Sequence, residues 1–251
     1  MIVLLGTDGE STRIIYHHLS RNFEGVSVIL EEPVSRGVLL KKRLRKIGAA
    51  RVLSQILFLA AVRPALERLY KNRIKEIIRT HDLDVRPIPG EVVTNVRSAN
   101  APECCELLDN MGPRVVVVNG TRILSKGLLE STSASFINTH TGITPTYRGV
   151  HGGYWALYEG NPAQCGVTVH IVDTGVDTGN VIAQATIQPT ARDGFPTYPY
   201  LQTAAALNLL TSAVSDALHG KLASQPSTGR SALWYHPGIV QYAVGLLRGV
   251  R

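Results

Sequence analysis

Two kinds of apolar spacing alternate along this chain. Residues 2–6, 26–30 and 114–118 are short runs rich in Val, Ile and Leu, with apolar side chains at almost every position. That is the pattern of strands covered on both faces of a parallel sheet. Residues 11–21, 102–110, 125–130, 152–159 and 197–219 instead repeat their apolar positions every three to four residues and predict helices. Further strands are expected at 135–139, 166–172 and 181–187, the last two able to pair antiparallel at the sheet edge. Residues 85–96 give short extended pieces broken by Pro87, Pro89 and Gly90, and 239–247 form an amphipathic segment.

The alternation of strand and helix defines an α/β protein with a doubly wound, mostly parallel sheet. Residues 36–80 read as helical throughout, which is long for one crossover and marks an inserted helical element. The expected organisation is therefore a main unit over 1–221, with an insertion at about 36–80, and a C-terminal extension over 222–251.

Charge changes this picture in one place. The chain of 251 residues carries a net charge of +7. Between Arg36 and Arg79 there are 13 Lys or Arg against Glu67 and Glu76 alone, a local +11, and the rest of the chain is net −4. Amphipathic helices with solvated basic faces account for this, and so does a lobe facing a nucleotide, a nucleic acid or an acidic membrane surface. Cys104, Cys105 and Cys165 lack metal-ligand or redox spacing and read as inert thiols of a reducing cytoplasm. The opening MIVLLGTDGE reads as a first strand, not a secretory leader. The stretch VLSQILFLAAV between Arg51 and Arg63 is shorter than the roughly 20 residues needed to cross a bilayer. A cytoplasmic protein with no transmembrane segment and no metal is expected.

The segment from Phe136 to Gly149, FINTHTGITPTYRG, concentrates the chemistry. Asn138 and His140 lie two apart at a strand end, so their side chains share a face. The C-terminal edge of a parallel sheet is where α/β proteins place their active sites. Downstream, CGVTVHIVDTGVDTG supplies Asp177. An amide donor, an imidazole titrating near about pH 6.5 and a carboxylate together suit acyl transfer to an amine. Singly, each residue reads as a turn, cap or core group.

In combination the residues resemble folate-dependent formyltransferases, the family that includes glycinamide ribonucleotide, methionyl-tRNA and amino-sugar formyltransferases. Its pattern of an Asn-x-His strand end, a proline-bearing loop, a Gly-x-Thr-x-His strand and an Asp-x-Gly loop is matched by Asn138, His140, Pro145, Tyr147, Arg148, Gly149, Gly166, Thr168, His170, Asp177 and Gly179. VVVVNGTRILSKGLL also matches, and the likeness runs from about 114 to 221. The resemblance implies a Rossmann-like formyltransferase fold and one-carbon transfer from 10-formyltetrahydrofolate to a primary amine. It implies that Asn138 and His140 hold the formyl oxygen and that Asp177 positions His140 and moves protons. It places the pterin against Arg122, Ile123 and Leu124 and against Val172, Asp173, Gly175 and Val176.

The acceptor is expected to be a small molecule, an amino sugar on a nucleotide carrier or a natural-product amine. The first turn reads Gly6, Thr7, Asp8, Gly9, Glu10, Ser11, and its two carboxylates oppose the phosphate of the purine intermediate. Few residues follow Lys221, where tRNA-dependent relatives have a sizeable domain, so nucleic acid is not expected as a partner. Alternatives are a glycinamide ribonucleotide formyltransferase, a formyl-folate hydrolase and a non-catalytic basic adaptor on membrane or nucleic acid. A homodimer is allowed.

Overall fold

The computed structural model describes residues 1–35, 37, 44–45 and 48–251. Its centre is a seven-stranded sheet in the order β3-β2-β1-β4-β5-β7-β8. Strands β1 (Ile2–Gly6), β2 (Val26–Glu31), β3 (Val93–Val96), β4 (Val115–Asn119) and β5 (Ser135–His140) run parallel. Strands β7 (Gly166–Ile171) and β8 (Val181–Thr186) are antiparallel to their neighbours. This is the doubly wound, mostly parallel architecture that the apolar runs predict. Short β6 (Arg148–Gly149) pairs with β9 (Leu233–Trp234) in a separate ribbon that no local signal in the sequence announced.

Alternation along the strands divides the core in two. Ile2, Leu4, Val28, Val115, Val117, Ile137 and Val169 face helices α1 (Glu10–Asn22) and, later in the chain, the residues Leu210, Ala213 and Val214. The intervening Val3, Leu5, Ile29, Val116, Val118 and Phe136 pack on the other face against Cys104, Leu108 and Leu128. Every side chain of β1 and β4 is buried, so apolar residues at consecutive positions are stabilised from both sides.

The predicted helical insertion is observed where it is described. Helix α2 (Ala49–Leu57) passes through a π-helical turn (Phe58–Val62) into α3 (Arg63–Leu69), and α4 (Lys71–Thr80) follows. Residues 36, 38–43 and 46–47 of the expected insertion lie outside the described residues. The run Ala49–Leu69 meets the length and composition of a membrane span, with mean hydropathy 1.4. The sequence expectation considered only the eleven residues between Arg51 and Arg63, and helical continuity through the π turn lengthens the segment. One side of the run is nevertheless packed into the protein: Phe58, Leu59, Val62 and Leu66 join a cluster with Tyr147, Tyr154, Trp155, Phe195 and Tyr242.

The remaining helices are α5 (Pro102–Met111), α6 (Lys126–Glu130), α7 (Gly152–Tyr158), α8 (Tyr198–Leu218) and α9 (Ile239–Leu247). Ser125 caps α6, its hydroxyl accepting the Leu128 N–H at 3.2 Å. Residues beyond 221 fold back onto the body. Gln225 bridges to Val181, Trp234 stacks on Tyr147 and Trp155, and Tyr242 enters the aromatic cluster.

Candidate active site

Strand β5 ends at the carboxyl edge of the sheet, and its partner β7 sets the site by register. Asn138 stands opposite His170, and His140 opposite Thr168. Asn138 Nδ2 lies 3.0 Å from His170 Nε2, while His170 Nδ1 lies 2.7 Å from the Ile171 carbonyl oxygen. A carbonyl only accepts, so Nδ1 carries the proton, and Nε2 accepts from the amide. His170 thereby fixes the Asn138 amide so that its oxygen and nitrogen are not interchangeable. Across the second pair, Thr168 Oγ1 donates to the Gly142 carbonyl at 2.8 Å and accepts from Thr144 N–H at 3.1 Å. Gln184 Nε2 also donates to it at 3.0 Å, so one hydroxyl pins the loop that leaves β5.

His140 is buried, with Nε2 2.7 Å from the Tyr147 carbonyl oxygen and Nδ1 3.3 Å from Asp177 Oδ2. Nε2 must donate to that carbonyl, which leaves Nδ1 facing the carboxylate. Gly142 permits this close fold: a Cβ there would lie 2.2 Å from the Tyr147 oxygen and 2.6 Å from His140 Nε2. Asp177 occupies a left-handed turn at φ 49°. Its Oδ2 accepts the Gly149 N–H at 2.9 Å, and its Oδ1 lies 3.4 Å from Asn138 Nδ2 and 3.6 Å from His170 Nε2. Arg148 Nη1 donates to the Val176 carbonyl at 2.9 Å, tying the ribbon strand to the same loop.

Burial pulls the His140 pKa below its ordinary 6.5, against the opposing influence of Asp177 and the Tyr147 carbonyl. The imidazole is therefore neutral near pH 7. Burial pushes the Asp177 carboxyl up, but His140, His170 and the Gly149 N–H outweigh it. Its pKa falls below the ordinary carboxylate value, and it stays ionised.

These groups line a cavity of about 570 Å³. All ten residues singled out from sequence line it: Asn138, His140 and Asp177, then Arg122, Ile123 and Leu124 on one wall and Val172, Asp173, Gly175 and Val176 on the other. The Arg122 side chain itself turns out of the cavity into the buried Glu31 carboxylate. Arg122 N–H donates to Glu31 Oε1 at 2.6 Å and its Nε to Oε2, which also accepts the Ala99 N–H at 2.8 Å. The opposite wall is closed by Asp173, whose carboxylate accepts from Gly175 N–H at 3.0 Å and Thr178 Oγ1 at 2.7 Å.

Three further residues contribute to the site. His170 and Thr168 were read only as pattern positions, and their alternation on a strand next to Asn138 and His140 is the signal that finds them. His151, at φ 59° before α7, has Nε2 2.9 Å from His236 Nδ1. Burial, then His236 and Arg63, hold its pKa well below 6.5. His151 and His236 both line the cavity, and His151 also lines a second one of about 690 Å³. Cys104 and Cys165 are buried free thiols with pKa values pushed up to about 12 by burial, and they stand outside this chemistry. No cluster of three His, Cys, Asp or Glu arranged to hold a metal occurs among the described residues.

The chain belongs to the formyl transferase family, whose model matches residues 17–199. Among curated relatives, the chain is 31% identical over 123 residues to a methionyl-tRNA formyltransferase of Thermodesulfovibrio yellowstonii. That match spans 49% of this chain and 40% of the relative, so less than half of the relative's length is represented. Among solved structures, a sugar N-formyltransferase from Shewanella sp. superposes with a TM-score of 0.60 at 14% identity, over 99% of this chain and 87% of that one. An N-formyltransferase from Helicobacter canadensis, in complex with folinic acid and dTDP-3-aminofucose, gives 0.54 at 14% identity, over 93% and 70%. At those identities the likeness is one of fold.

Proposed function

We propose that this chain is a folate-dependent N-formyltransferase acting on the primary amine of a small, nucleotide-linked acceptor, with an amino sugar as the acceptor class. The observation that carries the reading is the convergence of Asn138, His140 and Asp177 on one cavity whose two walls are the loops 120–124 and 172–177. The cavity suits a flat heterocycle. Ile123, Leu124 and Val172 give apolar wall, and the Thr139 hydroxyl is buried without a hydrogen-bond partner among the described residues. Arg122–Leu124 and Val172–Val176 would hold the pterin of 10-formyltetrahydrofolate, which supplies a formyl carbon on nitrogen as the group to be moved.

The geometry divides the catalytic work. Asn138 presents its second amide hydrogen, held only at 3.4 Å by Asp177, to the acyl oxygen as negative charge develops there. His140 has committed Nε2 to the Tyr147 carbonyl, so its contribution is Nδ1, a lone pair that takes the proton lost by the attacking amine. Asp177, ionised at 3.3 Å, stabilises the imidazolium so formed, which would return that proton to the folate nitrogen as its bond to the formyl carbon breaks. His170 positions Asn138. This differs from the sequence-based expectation, in which His140 shared the oxygen with Asn138.

Acceptor entry is assigned to the second cavity, which shares Ser11, His151, Pro199 and Thr203 with the first. Lys71 and Lys75 line it from one face of α4, one turn apart, with no ion-pair partner among the described residues. Two such ammonium groups suit a diphosphate. In the first turn, Asp8 is taken up by Arg13 at 2.9 Å, and Glu10 accepts from Tyr200. The Helicobacter complex, holding a folate and a nucleotide-linked amino sugar, supports both halves of the reading. On this reading residues 1–221 form the catalytic unit, with an insertion at about 36–80 whose residues from Arg63 to Ile78 face the acceptor, and 222–251 an extension.

The test is incubation with 10-formyltetrahydrofolate and a panel of nucleotide-linked amino sugars, followed by mass spectrometry for replacement of one hydrogen by formyl. Methionyl-tRNA belongs in the same panel because the curated relatives act on it by name. Formylation of the tRNA alone overturns the acceptor class, release of formate without an amine overturns transfer in favour of hydrolysis, and no turnover of the donor overturns both.

A further inference from the structure

We propose that α2 and α9 together form a peripheral docking face for an anionic phospholipid bilayer. The proposal is independent of the catalytic reading. On α2, Val52 and Gln55 point inward, and Gln55 Nε2 donates to the His236 carbonyl at 2.7 Å. The outer stripe is Leu53, Ile56 and Leu57, spaced i, i+3, i+4 and exposed by 58%, 41% and 47%. Helix α9 abuts it, with Ile239 N–H donating to Ser54 Oγ at 3.0 Å. That helix adds Val240 at 70% exposure and Leu247 at 89%. Large aliphatic side chains are thus held outward on two abutting helices, which a water-facing surface does not favour.

Charge selects the occupant. From Arg36 to Arg51 the sequence has seven Lys or Arg and no carboxylate, and the first acidic residue after Glu32 is Glu67. Arg45 and Arg51, among these, are exposed. Apolar side chains on a helix that carries the exposed Arg51 and follows a cation-rich run in sequence match the acyl boundary and headgroups of an anionic bilayer. A second copy of the chain would bring like charges together, and neither α2 nor α9 carries a carboxylate to receive them. RNA would satisfy the cations but leave the leucines wet, and the one aromatic ring of this helical run, Phe58, is buried and offers no stacking surface. Spanning is disfavoured because the opposite side of the same run is packed in the aromatic cluster. The helices therefore lie along the bilayer surface.

Co-sedimentation tests this with vesicles of phosphatidylcholine alone and of phosphatidylcholine mixed with phosphatidylglycerol. Binding is expected to the mixed vesicles and to weaken with added salt, since each cation brought to such a surface strengthens association about fivefold. Leu53→Asp/Leu57→Asp should reduce it at least roughly tenfold, while Arg45→Glu/Arg51→Glu should weaken the preference for the anionic lipid by at least about 25-fold. Circular dichroism melts of both variants confirm folding, since all four side chains are exposed. Failure to bind either vesicle overturns the proposal, as does equal binding unaffected by the leucine variant. So do self-association by light scattering that the leucine variant abolishes, and RNA binding in place of vesicle binding.

Discussion

Replacing Asp177 by Asn gives the most direct reading of the site. The change keeps shape, and the new amide oxygen still accepts the Gly149 N–H that Asp177 Oδ2 holds at 2.9 Å. What disappears is the negative charge 3.3 Å from His140 Nδ1. At an effective dielectric of about 20 the attraction between a carboxylate and an imidazolium at that distance is about 5 kcal/mol, and at the dielectric of water it is about 1.3 kcal/mol. With about 1.4 kcal/mol per tenfold in rate, the chemical step should slow by roughly tenfold to a few thousandfold. The pH profile carries a second signature. His140 must be neutral to accept a proton, so activity falls as pH drops through its pKa, which lies below 6.5. Loss of the carboxylate destabilises the imidazolium and lowers that pKa further, so the acid limb of kcat/KM moves to lower pH even as the maximum falls. Single-turnover rates with 10-formyltetrahydrofolate, measured across pH for parent and variant, provide the assay. An unchanged rate with an unchanged acid limb would refute the assignment of Asp177 and His140 as a proton-handling pair.

Three further outcomes follow from the packing around the site. Glu31→Ala should cost about 3 kcal/mol, read as a lower thermal midpoint, because it removes the carboxylate that pairs the partly buried Arg122 guanidinium and leaves two backbone N–H groups without an acceptor. Thr168→Val keeps the volume but deprives Thr144 N–H and the Gln184 amide of an acceptor and the Gly142 carbonyl of a donor; a loss of about 1–3 kcal/mol in denaturant midpoint is expected. Acid should destabilise the fold in two stages, measurable by melting across pH. His140 and His151 have folded pKa values below 6.5, so their contribution is complete above that pH and declines as pH falls toward the folded values. Asp177, and Asp193, which Arg73 and Thr190 hold down against the upward push of burial, contribute above about pH 3.8, and that contribution is lost below it.

Much of this molecule was legible in one dimension because its signals are local. The run at β4 could only be a doubly covered strand, and the two-residue spacing of Asn138 and His140 fixed their common face. Ser125 announced α6, and the predicted 239–247 segment matches α9 in extent. What escaped depends on partners distant in sequence. His170 is a lone histidine until β7 lies antiparallel beside β5 and brings it to Asn138, 32 residues away. The β6–β9 ribbon joins residues 85 apart, and two-residue strands carry no periodicity to detect. His151 and His236 likewise become a pair only after residues beyond 221 fold back. The Arg122 side chain was unreadable for the same reason: its mate, Glu31, is on another strand and buried.

The ribbon also bears on the order in which the molecule matures on the ribosome. Strand β6 contributes Arg148 and Gly149, which hold the turn carrying Asp177, and β6 in turn is paired by β9. A nascent chain that has completed its seven-stranded sheet still lacks the brace behind its carboxylate until residues 233–236 emerge. The brace behind the carboxylate thus comes from residues that follow every strand of the main sheet in sequence.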